Sequence, residues 1–199
     1  MTQQVYMVGE LPEIARVNLA MDSLAEYPVP LTQLRVWDAI TTLLPAAGAS
    51  DDLGLVGGTF GSASPSIQTS DSKAANTTQR ARFQWALPPE YVAAQRLRLR
   101  LHAGMLTTIS DTTATVDVEV YESNREAGVG SDLCATSAKS INSLTMADKE
   151  FDLDVSGLEP GDMLDVRITI AIVDAATATA VKGVIGAIEW LVDIVGLIS

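Results

Sequence analysis

The longest regular pattern of apolar and polar positions in this chain lies between Leu158 and Val173. A turn signal, Pro160-Gly161, is followed by strict alternation, which is typical of a strand with one buried face. Its apolar members are Leu164, Val166, Ile168, Ile170 and Ile172. Their burial contributes on the order of 10 kcal/mol gross, at roughly 1.5–3 kcal/mol each. The pattern therefore predicts a central strand of a β-sandwich.

Similar alternation recurs in other segments of the chain, with turn signals between them. These segments are 80–87, 96–102, 116–121, 151–155 and 180–194. At least six strands without a strand–helix–strand rhythm predict a mainly β chain, an antiparallel β-sandwich or jelly-roll-like domain. Two long loops, 46–72 and 122–149, interrupt this pattern. The first is rich in Gly, Ser, Ala and Asp, and a loop of this length is commonly functional.

The first 30 residues have a different pattern. Four apolar residues recur at spacings of three and four, which is the stripe of a helix. They are Ile14, Val17, Met21 and Leu24. Tyr27-Pro28-Val29-Pro30 ends such a helix, because a residue before proline avoids the α region. We therefore predict an N-terminal arm over residues 1–30, a short helix plus a proline-containing connector, and a β-sandwich domain over residues 31–199. The helix either packs on its own domain or reaches a neighbouring subunit.

Charge limits the classes of partner. The 199 residues carry a net charge of −12 at pH 7, so the surface would repel the phosphates of nucleic acid.

The N-terminus, MTQQVYMVGE, has no basic region followed by an apolar one, so we predict no signal peptide and synthesis in a cytoplasm. The most apolar segment, 183–199, is interrupted by Glu189 and Asp193, so we predict no membrane span. A single cysteine, Cys134, excludes an internal disulfide and fits a reducing compartment.

The arginines are unevenly distributed. Five of the nine lie in outward phase on two successive predicted strands: Arg80, Arg82, Arg96, Arg98 and Arg100. If those strands pair, the arginines form a basic ladder that would bind an acidic partner. Alternatively, they pair with outward carboxylates on other strands, each pair contributing ~0.2–1 kcal/mol. The candidate carboxylates are Asp117, Glu119, Asp152 and Asp154.

Catalytic and cofactor patterns are not recognisable in the sequence. His102 is the only histidine, so no zinc site or Ser-His-Asp signature is formed. Cys134 has no nearby basic residue that would lower its pKa. Paired carboxylates such as Asp51-Asp52 are interpreted as solvated turn residues, because calcium needs six to eight oxygens. We therefore predict no catalytic residue, no cofactor and no metal, and a protein that is not an enzyme.

Several short motifs carry a resemblance to a known group of proteins. They are Leu34-Arg35-Val36-Trp37-Asp38, Asp51-Asp52-Leu53-Gly54-Leu55, Gly58-Thr59-Phe60-Gly61, Leu87-Pro88-Pro89-Glu90-Tyr91-Val92, Ala103-Gly104-Met105 and Pro160-Gly161-Asp162-Met163-Leu164-Asp165-Val166-Arg167. With these motifs, roughly residues 31–195 resemble virion structural proteins of tailed bacteriophages and prophages. The resemblance implies a β-sandwich subunit on the capsid exterior, a decoration (cement) protein, and it implies no catalytic residues.

The predicted function is therefore to reinforce a phage capsid by binding neighbouring capsid subunits. The predicted partners are the major capsid protein and copies of the chain itself, in a homo-oligomer such as a trimer, with no nucleic acid and no membrane. The predicted partner-binding residues are Ile14, Val17, Met21, Leu24, Arg96, Arg98 and Arg100. The alternative is a carbohydrate-binding or tail-adhesin module of a virion, because one sandwich fold hosts many functions.

Overall fold

The alternating segments form strands of two sheets. The computed structural model describes residues 24–123 and 128–194. Within these residues a 3-10 turn covers Leu31–Gln33. The strands are β1 (Leu24–Pro28), β2 (Arg35–Val36), β3 (Ala39–Leu43), β4 (Gly54–Val56), β5 (Ser66–Gln68), β6 (Asn76–Ala86), β7 (Leu97–Met105), β8 (Thr113–Glu122), β9 (Lys139–Ser140), β10 (Ala147–Asp152), β11 (Met163–Val173) and β12 (Gly183–Asp193).

Both sheets are antiparallel. The first has the order β10-β7-β12-β5-β4, and β1 also pairs with β12. The second has the order β3-β2-β6-β11-β8-β9. The inward side chains of the two sheets form one apolar core, in which Leu99 and Phe151 of the first sheet and Phe83 and Ile168 of the second are almost fully buried. The mainly β antiparallel sandwich predicted from the alternation is confirmed.

Strand β11 is the central strand that the sequence predicts. It pairs along its length with β6 on one side and with β8 on the other. Its five alternating apolar side chains, from Leu164 to Ile172, are 1% exposed or less. The turn before it is also as predicted: Gly161 has φ = 89°, and the Asp162 N–H donates to the Glu159 carbonyl at 3.2 Å. Glycine adopts this left-handed conformation without steric cost, so the turn is built into the sequence.

The last strand, β12, is buried on its core side despite a change in side-chain phase. Its register with β7 shifts between Ile185 and Ala187, which marks a bulge. Ile185 and Ile188 are both 1% exposed or less, although they are three residues apart. Leu191, in the opposite phase to Ile188, is also buried. The bulge explains why alternation is less clean here than in β11.

The N-terminal arm is corrected by the structure in its last seven residues. Leu24 lies in strand β1, so the predicted helix does not include it. Strand β1 pairs with β12, Val29 is 4% exposed, and the Val29 N–H donates to the Ile188 carbonyl at 2.8 Å. A free edge of β12 provides main-chain partners that outweigh a weak helical stripe. The other predicted stripe residues, Ile14, Val17 and Met21, lie outside the described residues.

The two predicted loops contain short elements that periodicity did not reveal. Strands β4 and β5 form a hairpin within residues 46–72. Strand β9 and the start of β10 lie within residues 122–149. Strands of two or three residues are too short to show an alternating pattern, so the sequence pattern predicts loops at these positions. In the described part of the chain, no helix has the length and apolar character needed to span a membrane.

Candidate functional site

The arginine ladder, one of the two arrangements that the sequence left open, does not form. Strands β6 and β7 belong to different sheets, so Arg80 and Arg82 lie on the opposite outer face from Arg98 and Arg100. On the first sheet, Arg98 forms an ion pair with Glu150, and Asp152 lies 3.8 Å from its Nε atom. Arg100 pairs with Glu189 at 2.5 Å and with Glu26 at 2.9 Å. The alternative of internal pairing therefore describes Arg98 and Arg100.

The outer face of the second sheet carries a regular array of polar side chains. Strands β6, β11 and β8 are adjacent, and their register aligns three rows of outward residues. The rows are Gln84, Asp165 and Tyr121; Arg82, Arg167 and Glu119; and Arg80, Thr169 and Asp117. These residues are distant in the chain, so only the sheet brings them together.

Two ion pairs hold this array together, one between neighbouring rows and one within a row. The Arg82 guanidinium binds both carboxylate oxygens of Asp165, with Nε to Oδ1 at 2.6 Å. Arg167 binds Glu119 in the same sheet face. Asp165 is only 8% exposed, so its pairing with Arg82 satisfies a charge that would otherwise be costly to bury. Charge-assisted, bidentate bonds fix the planes of these side chains and leave their remaining donors and acceptors in set directions.

Trp37 lies over this array. It occupies the two-residue turn between β2 and β3, where it is half-buried. The guanidinium carbons of Arg80 and Arg167 lie 5.2 and 5.5 Å from the centre of its ring. Both distances are within the range of a cation–π contact. The indole N–H donates to Asp51 Oδ2 at 2.9 Å. The ring is thus held at its edge and against two cations of the sheet.

An open groove of about 250 Å³ runs between Trp37 and the other side of the array. It is lined by Trp37, Arg82, Tyr121, Val129, Asp165 and Arg167. Burial, followed by the negative charge of Glu119, raises the pKa of Tyr121. Tyr121 is therefore a neutral phenol at pH 7, and its hydroxyl donates to Glu119 Oε1 at 3.5 Å. The groove combines two aromatic side chains with pre-oriented polar groups, the combination that small-ligand sites use.

Sequence reasoning did not identify this groove. Tyr121 and Arg82 are placed correctly by alternation as outward residues, but their neighbours depend on strand order. Trp37 lies in a poorly periodic region, so its position over the sheet left no signal in the pattern. Tyr121 is an aromatic residue in outward phase on the predicted strand 116–121, whose other outward residues are charged. It was the one indication of a binding surface in the sequence.

Other reactive groups lie outside the groove. His102 pairs with Asp148 on the first sheet, with Nδ1 to Oδ1 at 2.7 Å. Burial raises the pKa of the Cys134 thiol to about 11, with further contributions from Asp132 and other carboxylates. Among the described residues, no cluster of three or more His, Cys, Asp or Glu side chains is arranged to hold a metal ion. The groove is therefore the candidate site that the geometry offers.

Comparison with known proteins supports the fold. No protein-family model and no curated protein matches the chain. Among solved structures it is similar to a xylan-binding module, CBM15, with a TM-score of 0.50, 11% identity, and coverage of 87% of this chain and 100% of that one. It is also similar to xylanase 10C of Cellvibrio japonicus, with a TM-score of 0.46 and 12% identity over 83% of this chain and 28% of that one. At 11% identity, the first likeness shows a shared β-sandwich fold.

Proposed function

We propose that this chain is a non-catalytic carbohydrate-binding module and that its ligand lies in the groove on the outer face of the second sheet. The observation that carries the proposal is the placement of Trp37 and Tyr121 beside the paired side chains of Arg82, Asp165 and Arg167 in one open groove. A carbohydrate-binding module is also the alternative function that the sequence left open. The named function of CBM15, xylan binding, is compatible with it.

The chemistry of sugars fits this combination. A pyranose ring has an apolar face of C–H groups, which stacks on an aromatic ring, and a rim of hydroxyls that both donate and accept hydrogen bonds. Trp37 and Tyr121 supply the aromatic surface. Asp165 accepts and Arg82 and Arg167 donate, in directions that their ion pairs fix. An open groove admits a chain of sugar units rather than enclosing one.

The first test is a survey of soluble polysaccharides and oligosaccharides, followed by calorimetric titration with any that bind. Trp37→Ala should weaken binding by about 2 kcal/mol, close to a 30-fold rise in Kd, because truncation of a central aromatic anchor removes most of its contact energy. Tyr121→Ala should weaken binding in the same direction. Circular dichroism of each variant checks that the sandwich is intact.

The matched control is Phe60→Ala. Phe60 is fully exposed in the β4–β5 hairpin of the first sheet, away from the groove. It is an aromatic side chain of similar size, and its removal should leave the Kd unchanged. Equal losses of affinity in the Trp37 and Phe60 variants would move the site away from the groove. The absence of binding to any saccharide would reject the proposal.

The capsid-decoration hypothesis stays a proposal that rests on sequence resemblance, together with its partners and its virion location. The groove is compatible with the alternative virion role expected from the sequence, a glycan-binding tail adhesin, rather than with decoration itself. Particles stripped of this protein, incubated with it and sedimented, would test shell binding. Shell binding that survives Trp37→Ala, in a protein that binds no saccharide, would favour decoration over carbohydrate binding.

A further inference from the structure

The position of Trp37 is determined by more than its own hairpin. The turn that carries it joins β2 to β3, and β3 is the edge strand of the second sheet. Asp51, the first of two consecutive aspartates in another segment, contacts this residue. Its Oδ2 atom accepts the indole N–H of Trp37 at 2.9 Å. The ring is therefore held from outside its own hairpin.

The segment that carries the two aspartates is itself attached to the sheet. The Arg80 N–H donates to the Asp51 carbonyl at 2.7 Å, and the Leu53 N–H donates to the Arg80 carbonyl at 2.9 Å. Ala49 and Asp52 exchange two further main-chain hydrogen bonds, at 3.0 and 2.9 Å. The carboxylates thus have a fixed origin on β6, the same strand whose Arg80 guanidinium contacts the Trp37 ring.

This arrangement has an electrostatic cost. Burial raises the pKa of Asp52, the residue next to Asp51, and the negative charges of Asp51 and Asp38 raise it further. One oxygen of the Asp52 carboxylate, Oδ1, is buried without a hydrogen-bond partner. Adjacent carboxylates that are partly desolvated destabilise a fold unless the contacts they make compensate.

We propose that Asp51 is a positioning residue that holds Trp37 in its orientation over the groove. The contribution to ligand binding rests on the proposed function; the orientation itself does not. A side chain that is already ordered loses less conformational freedom when a ligand binds. Release of the indole from Asp51 should therefore weaken binding by roughly three- to tenfold, without removing any group that touches the ligand.

The experiment uses the full chain labelled with [15N]tryptophan, in which only three residues give signals. Asp51→Ala should speed solvent exchange of the Trp37 indole proton. Asp51→Asn should restore slow indole exchange, because the amide oxygen still accepts. Trp85 and Trp190 pack in the core with ring centres 4.9 Å apart, and their unchanged signals would report an intact fold.

Asp38→Ala is the control, since it removes an equal charge beside Trp37 but leaves the acceptor of the indole N–H, Asp51, in place. Its Trp37 exchange rates should match those of the unmodified chain. Unchanged indole exchange in Asp51→Ala, or equal exchange in the Ala and Asn variants, would overturn the proposal. These measurements need no saccharide. If the unmodified chain binds none, the proposed function fails while the exchange rates still decide the positioning role.

Discussion

In the described part of this acidic chain, four arginines (Arg82, Arg98, Arg100 and Arg167) pair with carboxylates of their own sheet. Arg98 and Arg100 bind carboxylates of neighbouring strands, and Arg82 binds Asp165 across β6 and β11. A partner that used Arg98 or Arg100 would first have to replace those carboxylates. Arg96 is exposed and, within the described ranges, has no ion pair. Of the predicted partner-binding arginines, Arg96 is the one that is free to contact an acidic surface.

A prediction at the same scale concerns Cys134. Because burial raises the pKa of its thiol to about 11, roughly one molecule in a thousand carries the reactive thiolate at pH 8. Labelling by iodoacetamide at pH 8 should be slow in the folded protein and fast in denaturant. The measurement is the mass of the intact chain over time. Equally fast labelling in both states would contradict the buried, protonated thiol.

At the scale of elements, β11 gives the sharpest prediction for stability. Ile168 is fully buried between Val118 of β8 and Ala81 of β6, whereas Thr169 points to the outer face. Ile168→Asp places a charge without a partner in the core and should cost several kcal/mol, on the order of the whole stability of a domain. Thr169→Asp should cost far less. Urea unfolding of both variants measures the difference.

The Thr169 variant is the control for the general effect of adding a carboxylate to this strand. If both variants unfold at the same urea concentration, the assignment of the two faces of β11 is incorrect. If Ile168→Asp does not fold at all, the milder Ile168→Val still tests the position. Its expected loss is about 0.5–1.5 kcal/mol.

The long strands were predictable and the short ones were not, for a physical reason. Strands β6, β7, β8 and β11 each bury alternate side chains over nine residues or more, so the core imposes its period on the sequence. Strands β2, β4 and β9 contain two or three residues. Strand β1 lies at an edge of β12, where main-chain hydrogen bonds decide the conformation and the side chains are only partly buried.

The groove was unpredictable for a related reason. Alternation states which side of a sheet a residue faces, and Arg82, Asp165 and Tyr121 all face outward as expected. It does not predict that β6, β11 and β8 are neighbours. That strand order brings residues over 80 positions apart into contact. Trp37 enters the site through a turn, and its indole N–H donates to Asp51, which lies in a glycine-rich loop.

At the scale of the whole molecule, the two outer faces have different characters. The outer face of the second sheet carries the groove with Trp37 and Tyr121. The outer face of the first sheet carries the paired arginines Arg98 and Arg100 and the exposed pair His102–Asp148. In a sandwich these faces point in opposite directions. Saccharide binding on one face and attachment through the other would therefore not compete for the same residues.

The pairing of β1 with β12 has a mechanical consequence. Leu24 lies opposite Asp193, and Pro28 lies opposite Glu189, so the two strands run antiparallel from a common end. A force applied between residues 24 and 193 would load the hydrogen bonds one at a time, in the manner of a zipper, rather than all together in shear. Release of the five residues of β1 should lengthen the chain by roughly 15–20 Å.

Optical tweezers attached through Leu24→Cys and Asp193→Cys, in a Cys134→Ser background, should show this short step at low force before the main rupture. The peeling should stop at Val29, which is buried and bonded through its N–H to Ile188. One rupture without an early step would contradict the zipper geometry. In a molecule tethered by this edge, β1 would therefore detach first and lengthen the tether, while the face that carries the groove keeps its shape under load.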